Sequence, residues 1–433
     1  MGIEGSAPTG LVQVTVQADW TDVVADALRL NSTGTFWVSC YKRGSPSVHG
    51  AAKVSVVDDR KMHLAGHDGI ILEAITNYSF KVKIPDFDNI EVEVYGTGRR
   101  SNISKISCMD VSPQGALFVT GSEDGTLRIG ETESGRITQE LKAHFQYVNS
   151  CRFFPSGQVV LSGGGDFLLK VWSVLDGSCP VAMKGHTKPI SDTAIIDRGR
   201  NVVSSSNDGT VKLWEVASGA TIRTLAQHEE RINVIALDTW ESTVESNAAL
   251  DPREFGTEGK LVIAASEGGV LYGLDVRASE EAFQRKSYNK APVRSCAYSA
   301  QHSLVASGTS EGVVELFDIR KTDQVLNRFQ RGTAGISSIV FSGSSSSSSG
   351  QNGPGLIIGC DDSGVYETKP VQGETTIEIL REYVGYDLDG PARARVVGGG
   401  PALVAISKEG GLLRFSGNLG GGGPGSAAAV ASV

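Results

Sequence analysis

Aspartate, histidine, serine and tryptophan recur along this chain at spacings that could carry chemistry. In "NVVSSSNDGTVKLWEVASG", residues 201–219, Asp208 stands beside a glycine, with a hydroxyl cluster upstream and Trp214 six residues on. Such a constellation could belong to an active site, or it could fasten one unit of a repeating array. Spacing decides between the two. Asp124, Asp166 and Asp208 are 42 residues apart, and so are Trp172 and Trp214, and His144, His186 and His228. Three residue types sharing one period indicate an array, and self-similarity at about 40–45 residues is the signature of WD-repeat propellers. The same turn returns more faintly with Glu267, Glu311, Asp362 and Glu409, which makes seven copies.

A buried turn in a propeller blade leaves backbone N–H groups that need side-chain acceptors. An aspartate in the turn can take them up together with a histidine from the repeat entrance. The histidine can meet a hydroxyl, and the hydroxyl the indole N–H of the tryptophan. His186, Ser204, Asp208 and Trp214 fit that chain, as do His144, Ser162, Asp166 and Trp172. Such a network fixes one blade geometry, so these eight residues read as structural. In the other five repeats Gly130, Gly273, Phe317, Thr368 and Phe415 stand six residues after the acid, where tryptophan would be. Asp124, Glu267, Glu311, Asp362 and Glu409 are therefore not fully tied down. Either they give one face a negative potential that binds a partner, or acids simply suit glycine-containing turns.

Other chemistry has little support. The chain holds seven histidines, three of them on the repeat period. No P-loop, paired metal-ligand motif or Ser/His/Asp order appears. "RVVGGGP" lacks the Lys-Ser/Thr of a phosphate cradle, and the acidic segment at 239–258 lacks EF-hand spacing. The expectation is a non-enzymatic protein with no catalytic residue, cofactor or metal.

The elements that must position these turns are short Val/Ile/Leu runs between Gly, Ser and Asp, which read as all-β. Length, 433 residues, would ordinarily mean two or three domains, but seven blades close into one. Repeats run at about 103–144, 145–186, 187–228, 229–289, 290–331, 332–372 and 373–416. The fourth is swollen by 239–258, with Glu241, Glu245, Asp251, Glu254 and Glu258 against one base, Arg253. The sixth is swollen by "SGSSSSSSGQNGPG". Residues 1–97 do not keep the period; strands surround a helix over 21–30 with a Thr/Asp cap, giving a small separate α+β domain. The propeller spans 98–416, and 417–433 reads as a disordered Gly/Ala-rich tail. The last repeat ends on a third strand, and the alternating "NIEVEVY" at 89–95 is expected to complete it, since an open edge invites aggregation.

A net charge of −9 disfavours nucleic acid and anionic membrane and favours a basic partner. The six cysteines show no CxxC; Cys108, Cys151 and Cys296 follow serines in opening strands, as small buried hydrophobes. A reducing compartment fits. With no signal peptide and no long apolar run, the chain reads as soluble and intracellular. "MGIEGS" matches a myristoylation pattern at Gly2 and Ser6, but no basic cluster follows to supply a second anchor.

Residues 151–225, including "FFPSG" and "AIIDRGRN", together with "EFGTEGK" at 254–260, resemble the proteasomal-ATPase-associated factor family. Its fungal members are assembly chaperones of the proteasome regulatory particle. The resemblance implies a seven-bladed propeller whose acidic face holds the C-terminal domain of one base ATPase subunit, with release once the mature proteasome forms. It also implies a chain that is monomeric when free, in cytoplasm and nucleus. A rival of another class is a substrate-recognition adaptor such as a ubiquitin-ligase receptor; a hydrolase on a propeller is disfavoured by the missing constellation.

Overall fold

The computed structural model describes residues 9–17, 19–42, 45–57, 61–76, 79–87, 90–95, 100–102, 106–240, 251–278, 281–342, 354–361, 364–368 and 377–383. It also gives the backbone of 391–396, 402–407 and 411–416. The tail from 417, Asp362 and Glu409 lie outside the described residues.

Seven antiparallel sheets of the repeat region follow one pattern. Blade 1 is Ile106–Val111, Leu117–Ser122, Thr126–Glu131 and Ile137–Lys142; blade 2 is Val148–Phe153, Val159–Gly164, Leu169–Ser173 and Val181–Met183. Blade 3 is Ile190–Ile196, Asn201–Ser206, Thr210–Glu215 and Ala220–Gln227; blade 4 is Ile232–Thr239, Lys260–Ser266, Val270–Asp275 and Glu281–Lys286. Blade 5 is Val293–Ser299, Leu304–Thr309, Val313–Asp318 and Asn327–Gln330; blade 6 is Ile336–Ser342, Gly355–Cys360, Gly364–Thr368 and Ile379–Tyr383. Blade 7 has Pro391–Val396, Ala402–Ser407 and Gly411–Ser416. The first strand of each blade touches the first strands of both neighbours, and Ile106–Val111 meets Pro391–Val396, so the ring is closed.

Burial falls outward. The second strands of blades 3 and 5 are buried at every residue, because neighbouring blades cover both of their faces. The outer strands of blades 1 and 4 alternate between half-buried and exposed, as expected for one wet face. This is the WD-repeat propeller that the period predicts.

Two expectations about residues 1–97 are overturned. The closing strand of blade 7 is Arg100–Asn102, antiparallel to Gly411–Ser416, and not 89–95. Ile90–Tyr95 instead runs parallel to Ile379–Tyr383 and extends blade 6, carrying Ser79–Ile84 and Ile71–Thr76 with it. Its alternation is real, but what it records is burial of Val92 and Val94 in a core shared with Phe80, Val82 and Ile379. The N-terminal unit is also not separate. Thr9–Gly10 pairs in parallel with the outer strand of blade 5, so the N-terminal region covers the edges of two blades that would otherwise be open.

The remaining N-terminal strands, Gln13–Val16, Gly34–Tyr41, Val48–Val57 and Lys61–Gly66, form an antiparallel sheet. Against it packs helix α1, Trp20–Leu30, through Trp20, Val24 and Ala27. The helix begins one residue before the expected start. Its N-cap is Asp19, whose side chain makes no capping bond, and Asn31 ends it in the left-handed conformation. Glu382 of blade 6 ties the units together: it pairs with buried Arg331 at 2.6 Å and accepts from the Val14 N–H at 3.3 Å. Burial raises the Glu382 carboxyl above its ordinary range, against the opposing charge of Arg331.

Candidate interaction face

Blades 2 and 3 each contain a continuous polar chain. Trp172 Nε1 donates to Ser162 Oγ at 3.0 Å, Ser162 Oγ lies 2.8 Å from His144 Nε2, and His144 Nδ1 lies 2.7 Å from Asp166 Oδ1. In blade 3 the matching distances are 2.8 Å from Trp214 to Ser204, 2.7 Å from Ser204 to His186 and 2.9 Å from His186 to Asp208. One proton arrangement satisfies every atom: indole N–H to hydroxyl oxygen, hydroxyl to Nε2, and Nδ1–H to carboxylate. Asp208 also accepts from the Thr187 and Thr210 N–H groups, both at 2.9 Å, and from the Thr210 hydroxyl at 2.6 Å.

Burial works to raise the Asp208 carboxyl, but the hydrogen bonds from His186 and Thr210 outweigh it and hold the group far below the usual range. Burial pushes the His144 imidazole down, against the pull of Asp166. A serine, a histidine and an aspartate in line resemble a nucleophilic triad. Yet Ser162 and Ser204 are fully buried and already engaged on both sides, so no substrate reaches them.

Successive strands are antiparallel, so the turns between second and third strands and the loops between blades share one face. The other described acids sit there in three different ways. Asp124 accepts from the Thr126 N–H at 3.0 Å, with Arg128 at 3.7 Å in place of a histidine. Burial opposes it, but Thr126 and Arg128 hold its carboxyl below the ordinary range. Glu311 is exposed, and its carboxylate has no hydrogen bond among the described residues; Phe317 fills the tryptophan site of its blade.

Glu267 needs a correction. Val202 pairs with Trp214 in blade 3, and the matching pair in blade 4 is Val262 with Leu274. Leu274, not Gly273, therefore holds the tryptophan site, and Gly268, not Glu267, holds that of Asp208. The run Glu267-Gly268-Gly269 offers two possible turn glycines, and the fold uses Gly269 at φ +75°. The space a side chain would need at Gly268 is filled by the Glu230 carboxylate. Glu267 points out and accepts from Asn233 Nδ2 at 2.8 Å. His228, on the period, stacks on Tyr272 with ring centres 3.8 Å apart and faces Glu281 Oε1 at 3.2 Å, in place of the chain to serine and tryptophan.

The described residues of this face carry both signs. Glu123, Asp124, Glu229, Glu230, Glu267 and Glu311 are exposed on its turns and on the loop into blade 4, against Lys142, Lys184, Lys188, Arg231, Lys286 and Lys290. The central cavity, about 510 Å³, is lined by Asp110, Arg152, Asp192, Asp238 and Arg294; Arg152 pairs with Asp192 at 3.2 Å, and Arg294 with Asp361 at 2.6 Å.

The insertion of blade 4 joins a first to a second strand, on the opposite face. Its described part, 251–258, is a strap across the end of blade 3. Asp251, Glu254 and Glu258 pair with Arg253, Arg223 and Arg277, so these acids are spent internally.

One feature of the interaction face escapes the period altogether. Phe145, Tyr147 and Phe167 are exposed together on blade 2. The only trace in the sequence is "GGGDFLL", with phenylalanine where "SEDGTL" and "SNDGTV" have the turn glycine.

Comparison with known proteins places these features. The WD domain, G-beta repeat model matches residues 97–129, 135–173 and 177–215, which include both complete polar chains. A chicken protein named proteasomal ATPase-associated factor 1 is 43% identical over 304 residues, 69% of this chain and 75% of its own length. A Dictyostelium discoideum protein named probable proteasomal ATPase-associated factor 1 is 40% identical over 307 residues, 67% of this chain and 71% of its own. The human protein of that name is 33% identical over 142 residues, 32% of this chain and 35% of its own.

Proposed function

Because the chain belongs to the proteasomal ATPase-associated factor 1 family, we propose that it is a non-enzymatic chaperone for the proteasome regulatory particle. It holds the C-terminal domain of one base ATPase subunit against the acidic face of the propeller. The identity over most of the length of two relatives carries the proteasomal half of this reading. The physical half is supported by the exposed carboxylates of the second-to-third-strand turns, which attract a basic surface and speed its encounter. The reading brings with it a free monomer in cytoplasm and nucleus that lets go once the mature particle forms.

The test is direct binding of the full chain to the purified C-terminal domain of each base ATPase subunit. One domain should bind well above the others and weaken as salt rises. Binding to none of them, with cullin components co-purifying instead, would move the protein to the adaptor class.

A further inference from the structure

The turn of blade 2 departs from its neighbours. Blades 1, 3, 4 and 5 place a glycine at its left-handed position: Gly125 at φ +80°, Gly209 at +80°, Gly269 at +75° and Gly312 at +79°. Blade 2 places Phe167 there at φ +70°. A residue with a Cβ is disfavoured in this region, so the turn carries strain its neighbours lack. Phe167 is 39% exposed, so its ring is only partly packed against the fold. A strained position with part of its ring left to solvent is where function is sought.

Two more rings stand beside it, Phe145 at 94% and Tyr147 at 36% exposure. Glycines let them sit where they do: a Cβ on Gly165 would come 2.9 Å from the Tyr147 ring. The Gly165 N–H donates to Tyr147 O at 2.8 Å, and the Phe145 N–H to Asp166 Oδ2 at 3.3 Å. The Asp124–Gly125 turn of blade 1 abuts the same loop, with the His144 N–H donating to Gly125 O at 3.0 Å. Exposed Glu123 and Asp124 therefore border the rings on the blade 1 side, while Lys184 and Lys188 lie towards blade 3.

We infer that Phe145, Tyr147 and Phe167 form an aromatic seat for an arginine or lysine side chain of a basic protein segment, flanked by Glu123 and Asp124. The inference rests on the proposed docking of a basic partner on this face and names its anchor. Aromatic ring faces attract cations, and neighbouring carboxylates complete the match. Lys170 Nζ, which donates to Ala143 O at 2.6 Å, lies 6.0 Å from the Phe145 ring centre. Aromatic side chains, phenylalanine included, are enriched in the cores of protein interfaces, with polar and charged groups at the rim.

The experiment measures affinity of the full chain for each base ATPase C-terminal domain, with melting temperature alongside, for wild type, Phe145→Ala, Phe145→Leu and Phe167→Gly. Both Phe145 variants should bind at least ~10-fold more weakly at unchanged melting temperature. Phe167→Gly should bind more weakly and melt higher, because glycine relieves the turn. Wild-type affinity in Phe145→Leu would overturn the cation seat, since leucine keeps the apolar area and loses only the ring. Wild-type affinity in Phe145→Ala and Phe167→Gly would overturn the whole patch while leaving the ATPase reading standing. Failure of every ATPase domain to bind wild type would remove both.

Discussion

The guanidinium of Arg200 lies 3.3 Å from the ring centre of Phe255, and the next residue, Asn201, accepts the Phe255 N–H on Oδ1 at 2.6 Å. These residues belong to "AIIDRGRN" and "EFGTEGK", the two stretches far apart in the chain that carry the family resemblance. The fold brings the two stretches into one joint. Lys260 pairs with Asp197 at 2.7 Å across the same contact, and Asn201 Nδ2 donates to Arg253 O at 3.0 Å and Trp214 O at 3.1 Å.

Asn201→Ala should therefore destabilise the protein by about 1–3 kcal/mol, since it leaves buried backbone groups unpaired. Urea unfolding with Asn201→Ala beside a deletion of 251–258 checks this, and the two losses should be alike in size. Removing 241–250 alone should cost far less, because changing the length of a connection between two strands alters its closure entropy only slowly. A stable 251–258 deletion would show that the strap is not a fastening.

Asp208→Ala should cost about 1–3 kcal/mol and Glu311→Ala less than about 0.5 kcal/mol, because only Asp208 has donors to leave unpaired. Melting temperatures of the two variants decide it. Equal losses would contradict the division between tied and exposed acids.

The two complete polar chains of blades 2 and 3 are legible in the sequence because each repeats four residue types at a fixed step, whereas the expected untied acids differ: Asp124 is held by Thr126 and Arg128. What escaped has physical reasons. Glu267-Gly268-Gly269 gave no way to choose the turn glycine before Val262 was seen opposite Leu274. The alternation of Ile90–Tyr95 says that one face is buried, not what buries it, so the joint with blade 6 was invisible. Phe145 and Phe167 do not repeat, and a period finds only what recurs. The folding network thus reads clearly from sequence, while a binding surface held by one blade does not.

The two buried groups predict different pH windows. Asp208 is held below its unfolded range, so its contribution is present above the unfolded value of about 3.9 and is lost as pH falls further. His144 is also lowered, so the folded state favours the neutral ring. Its penalty begins as pH falls below the unfolded value of about 6.5. Wild type should lose stability between about pH 7 and pH 5 through His144. The gap between wild type and Asp208→Asn should not close there and should shrink only below about pH 4. Denaturant midpoints across that range read both effects, and a gap already closing at pH 6 would contradict the assignment.

Phe167→Gly should stabilise the isolated protein by roughly 1–2 kcal/mol, the cost of a side chain in the left-handed region. Calorimetry without any partner measures it. An unchanged or lower melting temperature would mean the ring repays its strain inside the fold.

The central claim, that an acidic face draws in a basic ATPase domain, is tested most directly by association kinetics of Glu267→Lys/Glu311→Lys beside wild type at ~50 and ~300 mM salt. Both residues are exposed, so the melting temperature should hold. The account predicts a slower association and weaker binding for the variant at low salt, with the two proteins converging at high salt as screening removes the difference. A variant that associates as fast as wild type at low salt, with its fold intact, would contradict it.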